Sequence, residues 1–305
     1  MSWTPDDLPS LDGRTAVVTG ANSGIGWHTA ARLARSGADV TLACRNLEAA
    51  EDAAARMREQ ARGHVVVEQL DLASLASVEK FASGWHGPLH LLVNNAGVMT
   101  PPRPRRTADG FELQFGTNHL GHFALTARLL PALLAAESPR VVAVSSLAHH
   151  GGSGGLLREN LEPRYRPQRA YSNSKLANLL FAFELQRRAS AAGTTLVSTA
   201  AHPGLSATGL VTSRQGLGAI PGLRWVAPPF VRLVSQSSAA GAAPTLFAAT
   251  EAARGSYTGP QWLGESRGPV GPARLSRLAR DEDLAGALWE LSEERTGVHF
   301  AWPGR

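Results

Sequence analysis

The chain has 305 residues, 43% of them hydrophobic and 18% charged, which suits an ordinary soluble globular protein with a substantial core. Its formal charge of +5 comes from arginine spread over the whole length, and the one dense basic run, PPRPRR (101–106), lacks the interleaved aromatics of single-strand binders. Nucleic acid is therefore not an expected partner, and the single cysteine, Cys44, excludes an internal disulfide framework and suits a reducing, cytoplasmic location.

The first residues, MSWTPDDLPS, have neither the basic nor the apolar part of a signal peptide. The longest apolar run, ALTARLLPALLAA (124–136), is interrupted by Arg128 and Pro131 and is shorter than the roughly 20 residues that span a bilayer. It reads as a core helix, and no integral membrane segment is expected.

The first strand candidate, TAVVT (15–19), runs into a glycine turn and a helix over 24–36. Gly20, Gly24 and Gly26, spaced G-x-x-x-G-x-G, would let the backbone of Asn22, Ser23 and Ile25 approach a pyrophosphate at the helix N-terminus. The second strand, DVTLAC (39–44), ends in Arg45 and Asn46, where an NAD site would carry an acid for the ribose 2′-hydroxyl. An arginine there can neutralise a 2′-phosphate, so NADP(H) is favoured over NAD, although a solvated loop arginine is the plainer alternative.

A helix over 46–61 leads to the third strand, HVVVEQL (64–70), followed by Asp71 and Leu72. The Asp71 carboxylate can accept from an adenine amino group or cap the next helix, which spans about 73–84. LHLLVN (89–94) is the fourth strand, and Asn95, Ala96 and Gly97 form a turn at its end. A helical stretch over 111–136 precedes RVVAVSS (140–146), and another over 170–192 precedes TTLVSTA (194–200). Apolar strands that each lead into a helix imply a parallel sheet covered on both faces.

The stretch AYSNSK (170–175) holds Lys175, one of only two lysines among 30 basic residues. It follows Tyr171 by four residues, so both side chains share one helix face. A phenol with a pKa near 10 is a poor proton relay at neutral pH, and a nearby ammonium would lower that value. A tyrosine tuned this way can exchange a proton with a carbonyl or alcohol oxygen as hydride moves.

Taken in order, TGANSGIG, NNAG, VSS and the tyrosine–lysine pair resemble the short-chain dehydrogenase/reductase family over roughly residues 13–260. NHLGHF, YSNSKLANLLF and HPG look like its retinol dehydrogenase and protochlorophyllide reductase branch. The resemblance implies one doubly wound Rossmann-type domain covering 1–305, with a parallel seven-stranded sheet and NAD(P)(H)-dependent chemistry at a carbonyl or alcohol. Tyr171 would be the acid/base and Lys175 its partner, which would also hold the nicotinamide ribose. Ser146, rather than its neighbour Ser145, would bind the substrate oxygen, and Asn118 would place a water in the proton relay. Asn95 and Gly97 would flank the cofactor ribose, while Pro203, Gly204 and Thr208 would line the nicotinamide.

Substrates of that branch are typically apolar, and the N-terminal anchor that several of its members carry is not found in this sequence, so retinoids in particular are not assigned. The stretches 149–169 and 203–236 are long enough to shape a pocket, and the second offers Leu217, Ile220, Trp225 and Phe230 as an apolar lid. Adjacent His149 and His150, and His119 with His122, lack the cysteine or carboxylate partners of a zinc site, so no metal is expected. RDEDLAGALWELSEERTGV (280–298) reads as a docked helix within a C-terminal extension over about 273–300. The chain is expected to act on a small molecule as a monomer or homo-oligomer. A cofactor sensor without catalysis is the alternative, but such proteins usually lose the tyrosine or lysine.

Overall fold

The computed structural model describes residues 3–158, 165–205 and 236–303. Its strands are β1 (Thr15–Thr19), β2 (Asp39–Cys44), β3 (Val65–Gln69), β4 (Leu91–Asn94), β5 (Arg140–Val144), β6 (Val197–Ala201), β7 (Tyr257–Trp262) and β8 (Arg267–Pro272). They form one sheet in the order β3-β2-β1-β4-β5-β6-β7-β8. Val17 and Val18 of β1, Leu92 and Val93 of β4 and Val141 of β5 are all fully buried, as expected where helices cover both faces. The chain order reverses between β1 and β4, which opens a crevice beyond their carboxyl ends.

The sheet has eight strands rather than the seven expected. Seven are parallel, and β8 returns antiparallel on β7 at the sheet edge. The turn joining them places Leu263, Gly264 and Glu265 at φ values of 49°, 65° and 65°. Neither strand carries an alternating apolar pattern: TGPQW and RGPVGP are rich in glycine and proline, which a sheet tolerates at its edge.

The helices are α1 (Gly24–Arg35), α2 (Leu47–Arg58), α3 (Leu75–Ser83), α4 (Leu113–Phe115), α5 (Gly121–Arg128), α6 (Leu130–Leu134), α7 (Pro167–Ala191), α8 (Ser238–Thr250) and α9 (Glu282–Thr296). Local sequence sets several starts. The side chains of Asn46, Ser74, Ser237 and Asp281 accept backbone N–H bonds at the heads of α2, α3, α8 and α9. Gly297 ends α9 in the left-handed region, at φ 64°. One face of the sheet packs Leu33, Ala53, Met57, Leu246 and Ala249 from α1, α2 and α8. The other packs Val78, Phe81, Phe123, Leu125, Phe181 and Trp289 from α3, α5, α7 and α9. Burial of each such large side chain stabilises the fold by roughly 1.5–3 kcal/mol.

The single helix expected over 111–136 is divided. A π turn, Gly116–Leu120, separates α4 from α5, and Pro131, which has no N–H, stands at the start of α6. A Cβ on Gly116 would lie 2.4 Å from the Thr107 methyl, and one on Gly121 would lie 2.3 Å from the Leu72 carbonyl. Glycine at both ends therefore lets this segment press against the loops that frame the crevice. Trp289 of α9 stacks among Phe123, Phe181 and Phe300 at 5.1, 5.9 and 4.4 Å, which docks the C-terminal helix on α5 and α7.

Candidate active site

The turn after β1 is built for close approach. Gly20 and Gly24 adopt φ values of 65° and 58°, which favour glycine. A Cβ on Gly26 would stand 2.4 Å from the Asn95 amide and 2.6 Å from the Gly20 carbonyl. Ser23 is the N-cap of α1 and makes no side-chain bond to the helix, so its exposed hydroxyl and the first helical N–H groups face the crevice end. Asn22 and Ile25 are half-buried, and Ile25 packs on the core beneath. The Cys44 thiol lies against the amides of Gly20, Ala21 and Asn22, which brings the exposed Arg45 and Asn46 beside the same turn. These features fit a dinucleotide with its pyrophosphate on α1.

Asp71 does not cap a helix. Its Oδ1 accepts from Ala73 N at 2.9 Å, and Ser74 caps α3 instead. Leu72 is buried against Gly121. The side-chain amide of Asn95 donates to the Thr19 carbonyl at 2.8 Å, tying the glycine turn to the end of β4, and Ala96 and Gly97 follow half-exposed.

At the far side of the crevice, Ser146 follows β5 and caps a 3₁₀ turn. Tyr171, on the buried face of α7, sets its phenol beside the Ser146 hydroxyl. Ser145 points the other way: its hydroxyl donates to the Lys175 carbonyl at 2.7 Å. Lys175 Nζ donates to the Val144 carbonyl at 3.0 Å and stands 5.8 Å from the centre of the Tyr171 ring. Burial lowers the Lys175 pKa to about 8. Burial also pushes the Tyr171 phenol up to about 12, against a smaller downward pull from Ser146. The phenol thus stands above its ordinary value here, not below it as the pairing with lysine suggested, because burial penalises the phenolate.

Asn118 lies in the π turn. Its Oδ1 accepts from Val98 N at 2.7 Å, and its Nδ2 donates to the Val98 carbonyl at 3.0 Å and the Ser174 hydroxyl at 2.9 Å. A Cβ on Gly97 would sit 3.2 Å from Asn118 Oδ1 and 3.6 Å from Lys175 Nζ, so both groups border the backbone of that glycine. Pro203 and Gly204 leave β6 at the same end of the sheet. Gly204 has φ 67°, and a Cβ there would meet the Ser266 carbonyl at 2.4 Å. Thr208 and the apolar segment around Leu217, Ile220, Trp225 and Phe230 lie outside the described residues.

Several polar groups that shape this site were not singled out from the sequence as site residues. His202 Nδ1 accepts from Gly204 N at 3.2 Å, and its Nε2 lies 3.3 Å from the Glu265 carboxylate, which sets the Pro203–Gly204 turn beside the β7–β8 hairpin. His149 Nδ1 bonds the Ser146 carbonyl at 2.8 Å, while its Nε2 accepts from Ser276 N at 3.3 Å. His119 reaches Ser292 of α9 at 2.8 Å, and His122 reaches Thr19 at 2.9 Å. His119, His122 and His149 thus serve separate hydrogen bonds, and no cluster of metal-binding side chains occurs among the described residues. In the sequence, NHLGHF carries His119 and His122, HPG carries His202 and the adjacent histidines mark His149, whereas nothing local marks Glu265, Ser276 or Ser292. No helix among the described residues is long and apolar enough to cross a membrane.

Comparison with known proteins agrees with this geometry. Residues 14–216 match the short chain dehydrogenase family. Human retinol dehydrogenase 13 is 39% identical over 294 residues, covering 95% of this chain and 86% of the relative. Bovine dehydrogenase/reductase SDR family member 13 is 41% identical over 300 residues, covering 95% and 75%. An uncharacterized Mycobacterium paratuberculosis protein superposes with a TM-score of 0.82 at 44% identity, covering 99% of this chain and 100% of its own. A Beutenbergia cavernae protein, provisionally an NAD(P)-dependent gluconate 5-dehydrogenase solved with NADP at low occupancy, superposes with a TM-score of 0.61 at 26% identity, covering 81% and 95%.

Proposed function

This chain belongs to the short-chain dehydrogenase family, and on that premise we propose that it interconverts a carbonyl and an alcohol with NADP(H), on a lipophilic aldehyde, ketone or secondary alcohol. The observation that carries the reading is the meeting of three side chains, with the Tyr171 phenol beside the Ser146 hydroxyl and Lys175 directly behind the phenol ring.

The bound cofactor supplies or accepts hydride. Ser146 orients the substrate oxygen and Tyr171 exchanges a proton with it. A buried phenol held near 12 stays protonated at neutral pH, the form that donates to a carbonyl oxygen as negative charge develops there. Lys175, itself half-charged near pH 8, offers the positive charge that eases loss of that proton. Asn118 fixes the Val98 backbone beside Gly97 and lends its carbonyl to the proton route. Gly20, Asn22, Ser23, Gly24, Ile25 and Gly26 cradle the pyrophosphate, Asp71 and Leu72 border the adenine, and Asn95, Ala96, Gly97, Pro203 and Gly204 border the nicotinamide half.

Arg45, exposed beside the turn with no acid next to it, supports NADP(H) over NAD(H) through a charge-assisted bond to the 2′-phosphate. The buried, unpaired Cys44 supports a reducing cytoplasmic setting. The lipophilic substrate class is supported by the apolar sequence of 203–236 and by relatives named for retinol. A panel of carbonyls and alcohols, read by the absorbance of reduced cofactor with NADPH and NADH in parallel, tests both assignments. Each added methylene buried in the site contributes about 0.8 kcal/mol, so kcat/KM should climb along a straight-chain aldehyde series. A flat series, or faster turnover of a sugar ketone, removes the lipophilic class.

A further inference from the structure

Thr19 and His122 are 103 residues apart in sequence, yet their side chains meet at 2.9 Å in the buried layer between the two halves of the site. On one side, Thr19 Oγ1 receives the N–H groups of Asn95 and Ala96, both at 2.9 Å. On the other, His122 Nδ1 lies 2.9 Å from the backbone carbonyl of Asn118.

Donor accounting leaves one arrangement. A carbonyl oxygen only accepts, so Nδ1 carries the ring proton. Burial lowers the His122 pKa to about 4, so the ring is neutral and Nε2 holds a lone pair. The Thr19 hydroxyl donates to that lone pair, preferring it over the Val93 carbonyl at 3.3 Å. Its own oxygen is then free to accept both turn amides. The opposite tautomer would set two lone pairs against each other at Asn118 and lose a bond in a dry interior, a costly exchange.

We propose that His122 is a positioning residue: it ties the cofactor-binding turn at Asn95 and Ala96 to the Asn118 carbonyl and holds that carbonyl oriented for the proton route through Tyr171 and Lys175. The π turn makes such a tie useful, because there the regular helical ladder is interrupted and a side chain can set the carbonyl's direction. The inference rests on the roles given above to Asn118, Tyr171 and Lys175.

Two small polar variants separate the ring's two bonds. His122→Asn keeps an N–H donor where Nδ1 stood, facing Asn118. His122→Gln places its amide where Nε2 stood, facing Thr19. With turnover normalised to NADPH-binding sites, His122→Asn should stay within about threefold of the parent. His122→Gln should lose at least about tenfold in kcat with NADPH affinity little changed, the scale on which small misplacements of reacting groups act. Equal turnover in the two variants, or the reverse order, overturns the proposal. Nitrogen-15 ring shifts of the unmodified protein give a reading that needs no variant: Nδ1–H supports the tie, and Nε2–H overturns it. Tyr171→Phe run on the same substrates keeps the two claims apart. If that variant turns over normally, the functional reading fails. If it is inactive while His122→Gln is normal, only the tie fails.

Discussion

Lys175 Nζ stands 3.0 Å from the Val144 carbonyl and 5.8 Å from the centre of the Tyr171 ring, so its charge sits at the back of the phenol with a single backbone acceptor. A lysine only 4% exposed and, among the described residues, without a carboxylate partner costs stability, as its lowered pKa records.

Lys175→Met should therefore abolish turnover yet raise folding stability at pH 7 by roughly 1–3 kcal/mol, since Asn178 still donates to the Val144 carbonyl at 3.1 Å. The sign with pH follows from linkage. Between the folded value near 8 and the ordinary 10.5, the unfolded chain binds more protons, so stability rises with pH across that window. The advantage of the methionine variant in urea unfolding should shrink from pH 7 to pH 10. An advantage independent of pH, or none, would mean that the ammonium is solvated. Lys175→Arg should also be inactive, because the planar guanidinium does not replace a compact ammonium.

The adjacent serines should behave differently. Ser146→Ala removes the hydroxyl beside the Tyr171 phenol and should lower kcat by at least about 10²-fold with little change in melting temperature. Ser145→Ala loses a buried bond to the Lys175 carbonyl and should cost roughly 1 kcal/mol of stability, with turnover per folded molecule affected far less. Kinetics and urea melts on both variants decide the matter, and the opposite pattern would move the substrate oxygen to Ser145.

Much of this site was legible because its signals are local. The four-residue interval between Tyr171 and Lys175 sets a shared helix face, and the three glycines mark the turn into the first residues of α1. What escaped depends on distant partners. Neither strand of the β7–β8 hairpin has an apolar rhythm, and the π turn at Gly116–Leu120 reflects contacts with Thr107 and Leu72 rather than its own composition. The pairing of His202 with Glu265 spans a stretch whose sequence gives no cue to it, and a buried neutral histidine looks the same in sequence as a ligand.

That pairing can be probed through Gly259, where a Cβ would lie 1.9 Å from His202 Nε2. Gly259→Ala should displace the ring, lower stability by roughly 1–3 kcal/mol, and weaken NADPH binding through the Pro203–Gly204 turn that His202 holds. Calorimetry and cofactor titration would record both. Unchanged cofactor affinity would detach this histidine from the nicotinamide side.

The proposed preference for NADP(H) rests on Arg45. Arg45→Ala should weaken NADPH by roughly 1–3 kcal/mol while leaving NADH almost unmoved, in the range for a charge-assisted contact. Parallel fluorescence titrations measure the difference, and equal losses for both cofactors would assign Arg45 to the fold.

The central claim is that Tyr171 exchanges the proton while hydride moves. Its most direct test is Tyr171→Phe, which keeps the buried ring against Lys175 and removes only the hydroxyl. With any carbonyl or alcohol that the parent protein turns over, the account predicts a loss in kcat of at least about 10²-fold and NADPH affinity within a few-fold of the parent. Near-normal turnover in a variant that still binds NADPH would contradict it.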